Sequence, residues 1–252
     1  MQAFLVALGF LTRIPVPGDG EVSSHSLSRS IIFFPIVGGL IGAVNAGLYF
    51  ILEPFIPRTV LSVLIIALPI FLTGGIHFDG LLDSADGLFS GQSRERSLEI
   101  IRDSRVGSMG VMAGILNVML RYSVLNTLPG AILPGLLITQ GVTGRWVMSL
   151  ALRLFPYARK DGGLGQVFTE EKGIINITLS TLLAIAVMWL ANGPTGIVIG
   201  LTVWGLSLLV AVWAARKLGG LTGDVYGALN EVAENIFLLL WLGGSITFHL
   251  PA

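Results

Sequence analysis

The chain has 252 residues and a mass of 26.8 kDa, a length that fits one or two domains. Hydrophobic residues make up 53% of it and charged residues 12%, about half the share usual in soluble domains, and the mean hydropathy is +0.83. That excludes an intrinsically disordered chain and a soluble core inside a charged shell. Fifteen basic residues balance fifteen acidic ones, so no basic footprint invites nucleic acid. With no cysteine there is no disulfide framework, thiolate metal site or cysteine nucleophile. The bilayer is the expected solvent.

In chain order, Met1–Leu11 is apolar but short, without a basic leader or a clear cleavage site. It reads as an interfacial or re-entrant piece rather than a secretory signal. Seven stretches then approach the roughly 20 apolar residues that a membrane helix needs: Ile31–Ile51, Thr59–Ile76, Gly107–Leu128, Ala131–Leu150, Ile174–Ala191, Gly196–Ala215 and Ala233–Leu250. The expected fold is therefore all-α, a single polytopic membrane domain over residues 1–252 with about seven transmembrane helices. Arg121 and Arg145 fall inside the third and fourth spans. A charge there is costly, so these arginines are expected to face a polar cavity.

If the spans alternate, one side collects Arg13, Arg29, Arg94, Arg96, Arg102, Arg105, Arg153, Arg159, Lys160, Lys172, Arg216 and Lys217, twelve of the fifteen basic residues. Only Arg58 falls opposite. The positive-inside rule makes the rich side cytoplasmic, N-in and C-out, in a bacterial inner (plasma) membrane. Fourteen of the fifteen carboxylates share that side, which the rule does not require. Glycine is abundant at 33 residues, and Gly38/Gly42, Gly110/Gly114 and Gly196/Gly200 have the small-xxx-small spacing of close helix packing. Such faces also permit a homo-oligomer.

The stretch Gly74-Gly75-Ile76-His77-Phe78-Asp79-Gly80-Leu81-Leu82-Asp83-Ser84-Ala85-Asp86-Gly87 is the richest in chemistry. Asp79, Asp83 and Asp86 at i, i+4 and i+7 share one helical face. Like charges at that spacing repel, which points to a bound cation; hard oxygen ligands without cysteine suit Mg²⁺, with Mn²⁺ possible. A capped, solvated helix start is the plainer alternative. His77 precedes the triplet as a candidate acid/base group. Arg102 and Arg105 bracket Asp103 just before a Gly/Ser-rich helix entry, and guanidinium forks and backbone N–H groups there suit phosphate oxygens. Gly219-Gly220-Leu221-Thr222-Gly223-Asp224, with Glu231 seven residues beyond Asp224, echoes Gly74-Gly75 followed by Asp79 and Asp86. The two acidic faces are expected to meet and share metal or substrate. Arg159-Lys160-Asp161-Gly162-Gly163-Leu164-Gly165 is a cationic glycine-rich loop, read equally as lid or solvated loop.

These residues resemble the cobalamin synthase family, the integral membrane adenosylcobinamide-GDP ribazoletransferases. The likeness runs through Phe10-Leu11-Thr12-Arg13-Ile14-Pro15, Phe34-Pro35-Ile36-Val37-Gly38, Thr73-Gly74-Gly75-Ile76-His77-Phe78-Asp79-Gly80, Asp83-Ser84-Ala85-Asp86-Gly87-Leu88, Asp103-Ser104-Arg105-Val106-Gly107 and Thr222-Gly223-Asp224. Arg102 stands where the pattern has Lys, with the charge retained, and Phe78 where it has Leu. The resemblance implies a Mg²⁺-dependent transferase of phosphorus-containing groups. Its substrates would be adenosylcobinamide-GDP and α-ribazole or α-ribazole 5′-phosphate, with GMP released. In that reading Asp79, Asp83 and Asp86 hold the metal, and Asp86, or else His77, takes the acceptor's proton. Arg102, Asp103, Arg105, Arg145, Asp224 and Glu231 serve substrate binding. The alternatives are a CDP-alcohol-type membrane phosphotransferase, whose Asp-x-x-Asp-Gly-x-x-Ala-Arg signature this chain lacks in part, and a transporter with Arg121 and Arg145 along its path.

Overall fold

A computed structural model describes residues 2–17, 23–159, 168 and 173–248, with side chains as far as residue 244. Lys160 to Gly165 of the cationic loop and the last residues of the seventh expected span lie outside that set. Among the described residues the structure is helical: α1 (Gln2–Leu11), α2 (Ser24–Ser30), α3 (Phe34–Leu52), α4 (Arg58–Thr73), α5 (Ile76–Leu88), α6 (Arg94–Ile100), α7 (Ser108–Thr127), α8 (Leu133–Leu154), α9 (Ile174–Leu218) and α10 (Gly223–Phe248). Single 3₁₀ turns lead into α3 and α8. The β-pairing described is one isolated parallel bridge between Tyr157 and Leu221.

The molecule is apolar outside and charged within. Leu40, Val44, Phe50, Val63, Phe71, Ile115, Leu116, Leu182, Leu190, Val198 and Leu209 are exposed on α3, α4, α7 and α9, whereas Arg121, Arg145, Glu231 and Glu234 are buried. Water would penalise that arrangement and a bilayer favours it, since every helix satisfies its own backbone there. The protein is thus a polytopic helical membrane protein.

By length and apolarity four helical stretches suffice to cross a membrane: Ser24–Leu52, α7, α9 and α10 through Gly244. A fifth forms if α4 and α5 count as one broken span. The count falls short of the expected seven for two physical reasons. α8 is diluted by Gln140, Thr143 and Arg145, and two expected spans run together in α9. Yet α9 is not straight. Asn192 and Gly193 leave helical geometry (φ −139° and +59°) immediately before Pro194. A Cβ on Gly196 would lie 2.7 Å from the Met188 carbonyl oxygen; eight residues of straight helix would separate them by about 12 Å. The chain therefore doubles back. Trp146 touches both limbs, donating from Nε1 to Thr181 Oγ1 at 3.1 Å while its ring lies 6.5 Å from that of Trp204.

Two arginines tie opposite ends of the bundle. Arg58 donates to the Leu125 and Leu128 carbonyls at the end of α7. At the other end Arg94 donates to the Leu218 carbonyl (2.7 Å) and the Ala158 carbonyl (3.2 Å).

Candidate active site

Two glycine pairs aim the acidic helices. α4 ends where Gly74 and Gly75 take left-handed conformations (φ +64° and +76°), which glycine adopts without a Cβ penalty. The chain turns by 92° into α5. α9 ends in the same way at Gly219 (φ +75°), and Gly220 (φ +149°) leads into α10.

α5 and α10 then pack directly on each other. His77, Gly80, Ser84 and Gly87 form the buried face of α5. A Cβ on Gly80 would stand 2.6 Å from the Asp224 carbonyl oxygen, and one on Gly227 3.2 Å from the His77 Cα. The absent side chains allow this approach and bring Asp224 beside the triplet. Of the two acidic faces expected to meet, the crossing brings Asp224 to the triplet and leaves Glu231 paired with Arg121.

Asp79 is exposed and Asp83, Asp86 and Asp224 are half-buried. Partial burial first, then Asp79, Asp224 and Asp86 in that order, push the Asp83 carboxyl up to about 7, against an opposing pull from Arg159. Asp86 accepts from the Gly107 amide at 2.6 Å through Oδ2 and from the Gly110 amide at 2.8 Å through Oδ1. It thereby caps α7 from a neighbouring helix, with its negative charge at the positive end of the α7 dipole. Glycine at 107 and 110 makes room, because a Cβ at either position would come within 2.5 Å of that carboxylate.

The donor set suits a hard divalent cation: oxygen only, crowded, and with one member's charge disfavoured until something offsets it. Among the described residues no three His, Asp or Glu side chains converge on one point as they stand. Holding an ion requires Asp79, Asp83 and Asp224 to rotate towards one another.

Other expected site residues are placed differently. Asp103 and Arg105 pair with each other, Arg105 Nη2 to Asp103 Oδ2 at 2.6 Å, on the exposed entry to α7. That hydrogen bond holds the Asp103 carboxyl down to about 2. Arg102 is exposed on the same segment. His77 is only 3% exposed and lies beneath Gly227, its Nε2 without a hydrogen-bond partner among the described residues. It thus sits on the buried face of α5, against α10.

Arg145 and Glu231 belong to a second, deeper layer. Arg121 bridges Glu231 Oε2 at 2.8 Å and Glu234 Oε2 at 3.2 Å, and Arg145 pairs with Glu234 Oε1. Asn117 donates to Glu231 Oε2 at 2.9 Å, and Asn235 Oδ1 accepts from Arg121 Nε at 2.9 Å. The cavity beside this quartet holds about 20 Å³, room for roughly one water. Sequence reasoning omits Asn117, Glu234 and Asn235 from the site. Their signal is helical spacing: Asn117/Arg121 at i, i+4 and Glu231/Glu234/Asn235 at i, i+3, i+4, polar stripes on otherwise apolar helices.

The ordered motifs on this geometry are those of a recorded family: the sequence profile described as cobalamin-5-phosphate synthase matches residues 3–242. The chain belongs to that family. Among its curated relatives, the adenosylcobinamide-GDP ribazoletransferase of Acetivibrio thermocellus is 38% identical over 241 residues, covering 96% of this chain and 97% of the relative. That of Clostridium novyi is 36% identical over 242 residues, covering 96% and 97%. That of Desulfitobacterium hafniense is 37% identical over 245 residues, covering 95% and 96%. No solved structure matches. The match covers both acidic helices and the α7 entry.

Proposed function

We propose that this chain is an adenosylcobinamide-GDP ribazoletransferase. One observation carries the site: two acidic helix starts, each led by a glycine pair, meet at Gly80 and Asp224 and gather four carboxylates beside the capped N-terminus of α7. In the reaction a ribazole hydroxyl forms a bond to the phosphorus attached to cobinamide. The bond from that phosphorus to GMP breaks, and GMP departs with the bridging oxygen. Phosphoryl transfer of this kind depends on positioning and charge neutralisation.

Asp79, Asp83 and Asp224 are the residues that would hold Mg²⁺ or Mn²⁺, with Asp86 contributing a remaining lone pair. When bound, such an ion supplies neutralising charge to the diphosphate and the leaving oxygen. The start of α7 offers backbone N–H groups and a dipole to phosphate oxygens. Arg102 and Arg105 flank that entry and take developing negative charge, Arg105 by exchanging Asp103 for phosphate. Of the two groups expected to receive the hydroxyl proton, Asp86 borders the polar surface and keeps the role. Its two amide bonds fix the carboxylate's orientation. Buried His77 supports the α5–α10 crossing instead.

Seven crossings and a cytoplasmic site complete the proposal. Counting α3, α4, α7, α8, both limbs of α9 and α10 as single passes puts Arg94, Arg159 and all four pocket carboxylates at one end. Arg58 and the tip of α9 lie at the other. The arginine-rich end faces the cytoplasm in a bacterial inner membrane.

The test is GMP release by detergent-purified protein given adenosylcobinamide-GDP, α-ribazole 5′-phosphate and Mg²⁺, beside Asp83→Ala. Release that needs the ion and falls at least about 100-fold in the variant is expected, the scale of losing charge stabilisation at a phosphoryl centre. Release from a CDP-activated alcohol in place of the GDP donor would support the phosphotransferase alternative. Absence of release from folded protein in bilayer discs would overturn the assignment, and full activity in Asp83→Ala would overturn the site.

A further inference from the structure

Arg159 is delivered to the acidic pocket by a rigid piece of backbone. Ala158 N–H donates to the Leu221 carbonyl at 2.9 Å, and Leu221 N–H donates to the Pro156 carbonyl at 2.9 Å. These two bonds lash residues 156–158 to the turn that begins α10. Gly220 permits the contact, since a Cβ there would stand 2.5 Å from the Pro156 carbonyl oxygen. Arg94 clamps both partners through the Ala158 and Leu218 carbonyls. The next residue, Arg159, donates from Nη2 to Asp224 Oδ2 at 2.9 Å. The same oxygen accepts from the Thr222 hydroxyl at 3.3 Å.

The guanidinium is only partly used. Its Nε is buried and has no hydrogen-bond partner among the described residues. Its side chain is 21% exposed. Asp83 also feels its charge, in opposition to the three neighbouring carboxylates. Among the described residues Arg159 is the positive charge set against these carboxylates, where a divalent cation would do the same task with twice the charge.

We propose that Arg159 is the exchangeable counter-ion of the carboxylate pocket: it holds Asp224 until a divalent cation takes the carboxylates, and its guanidinium then binds the donor's diphosphate. The inference rests on the metal reading given under Proposed function. It makes Arg159 a positioning residue for Asp224 in one state and a phosphate ligand in the other. Planar two-pronged donation suits both carboxylate and phosphate, which is why the exchange needs Arg rather than a hydrophobic or amide side chain. Arg159 and the ion compete for Asp224, while the ion and the diphosphate favour one another.

The experiment titrates Mn²⁺ alone into detergent-purified wild type, Arg159→Gln, Arg159→Lys and Asp83→Asn, following the free-ion signal by electron paramagnetic resonance. Thermal melts accompany each variant. Removing the competing charge should tighten Mn²⁺ binding by about tenfold in Arg159→Gln, a screened figure for a partly exposed charge. Arg159→Lys keeps the charge and should stay within about twofold of wild type on the same reasoning. At saturating ion, KM for the GDP donor should rise about tenfold in Arg159→Gln, the scale of one lost charged phosphate contact. An unchanged or weaker Mn²⁺ affinity in folded Arg159→Gln overturns the exchange. Should wild type bind no Mn²⁺, or bind it as well after Asp83→Asn, the metal reading itself fails, a result distinct from the first.

Discussion

Asp83 lies one helical turn after Asp79 and one before Asp86, with Asp224 facing it from α10. Partial burial, reinforced by these like charges, raises its carboxyl to about 7, above the value near 3.8 that it has when unfolded. The folded state therefore holds a proton that the unfolded chain has lost between about pH 4 and 7. Stability from this group is greatest at the acidic end of that window and declines as the pH rises through it. Two results follow for the metal-free protein. Asp83→Asn should melt above wild type at pH 8, by about 2–4 °C for each kcal/mol relieved in a chain of this size. The gap should close at pH 5, where wild-type Asp83 is protonated. Melting curves at the two pH values in one detergent decide it, and a gap independent of pH would show that the four carboxylates do not interact. Above pH 7, adding Mg²⁺ should narrow the same gap, since it supplies the charge that the variant no longer needs.

At the scale of elements, the α5–α10 crossing is set by glycine. The Gly80 hydrogen faces the backbone of Asp224, whose carbonyl carbon and Cα would both stand 3.2 Å from a new Cβ. Backbone cannot swing aside as a side-chain tip does, so the helices must part. Gly80→Ala is expected to destabilise by about 1–3 kcal/mol and to lower activity about 100-fold, the loss that follows from misplacing catalytic groups by about 1 Å. Helix content by circular dichroism should be kept. Gly205→Ala, where a Cβ meets nothing within 4 Å, is the matched control and should behave as wild type. Equal activity in the two variants would show that the crossing tolerates separation. Much of this geometry is legible in sequence. The i, i+4, i+7 acids foretell a shared face, and the repeated glycine pairs foretell two similar helix entries. Asn192-Gly193-Pro194 marks the reversal that divides α9. The capping of α7 by Asp86 and the Arg94 clamp are not legible, because each depends on partners 21 to 124 residues apart whose meeting no local pattern encodes. For the same reason, Arg94 reads in the sequence as a topological charge and serves in the structure as a tie between α6, α9 and the segment before Arg159.

For the whole molecule, the quartet of Arg121, Arg145, Glu231 and Glu234 joins α7, α8 and α10 at the depth where charge is most expensive. Two positive and two negative charges cancel, and Asn117, Asn230, Asn235 and Gln140 supply further hydrogen bonds. Spacing alone places the arginines inside spans and leaves open whether they line a path. On α10, Glu231 and Glu234 come round to meet them. The cavity beside this layer holds about 20 Å³, and the paired charges suit an internal clasp beneath the acidic pocket. A clasp and a transport path respond oppositely to losing one charge. If the layer is a clasp, Glu234→Ala strands two guanidinium groups with one carboxylate and should destabilise by about 3–5 kcal/mol. Adding Arg145→Met restores charge balance and fills volume, and should recover most of that loss, because a buried ion pair and a well-packed apolar pair are close in net stability. Denaturant titrations of the three proteins in mixed micelles measure both steps. Glu234→Ala as stable as wild type would mean that water already reaches the quartet, and the layer would then be an open polar route through the bundle.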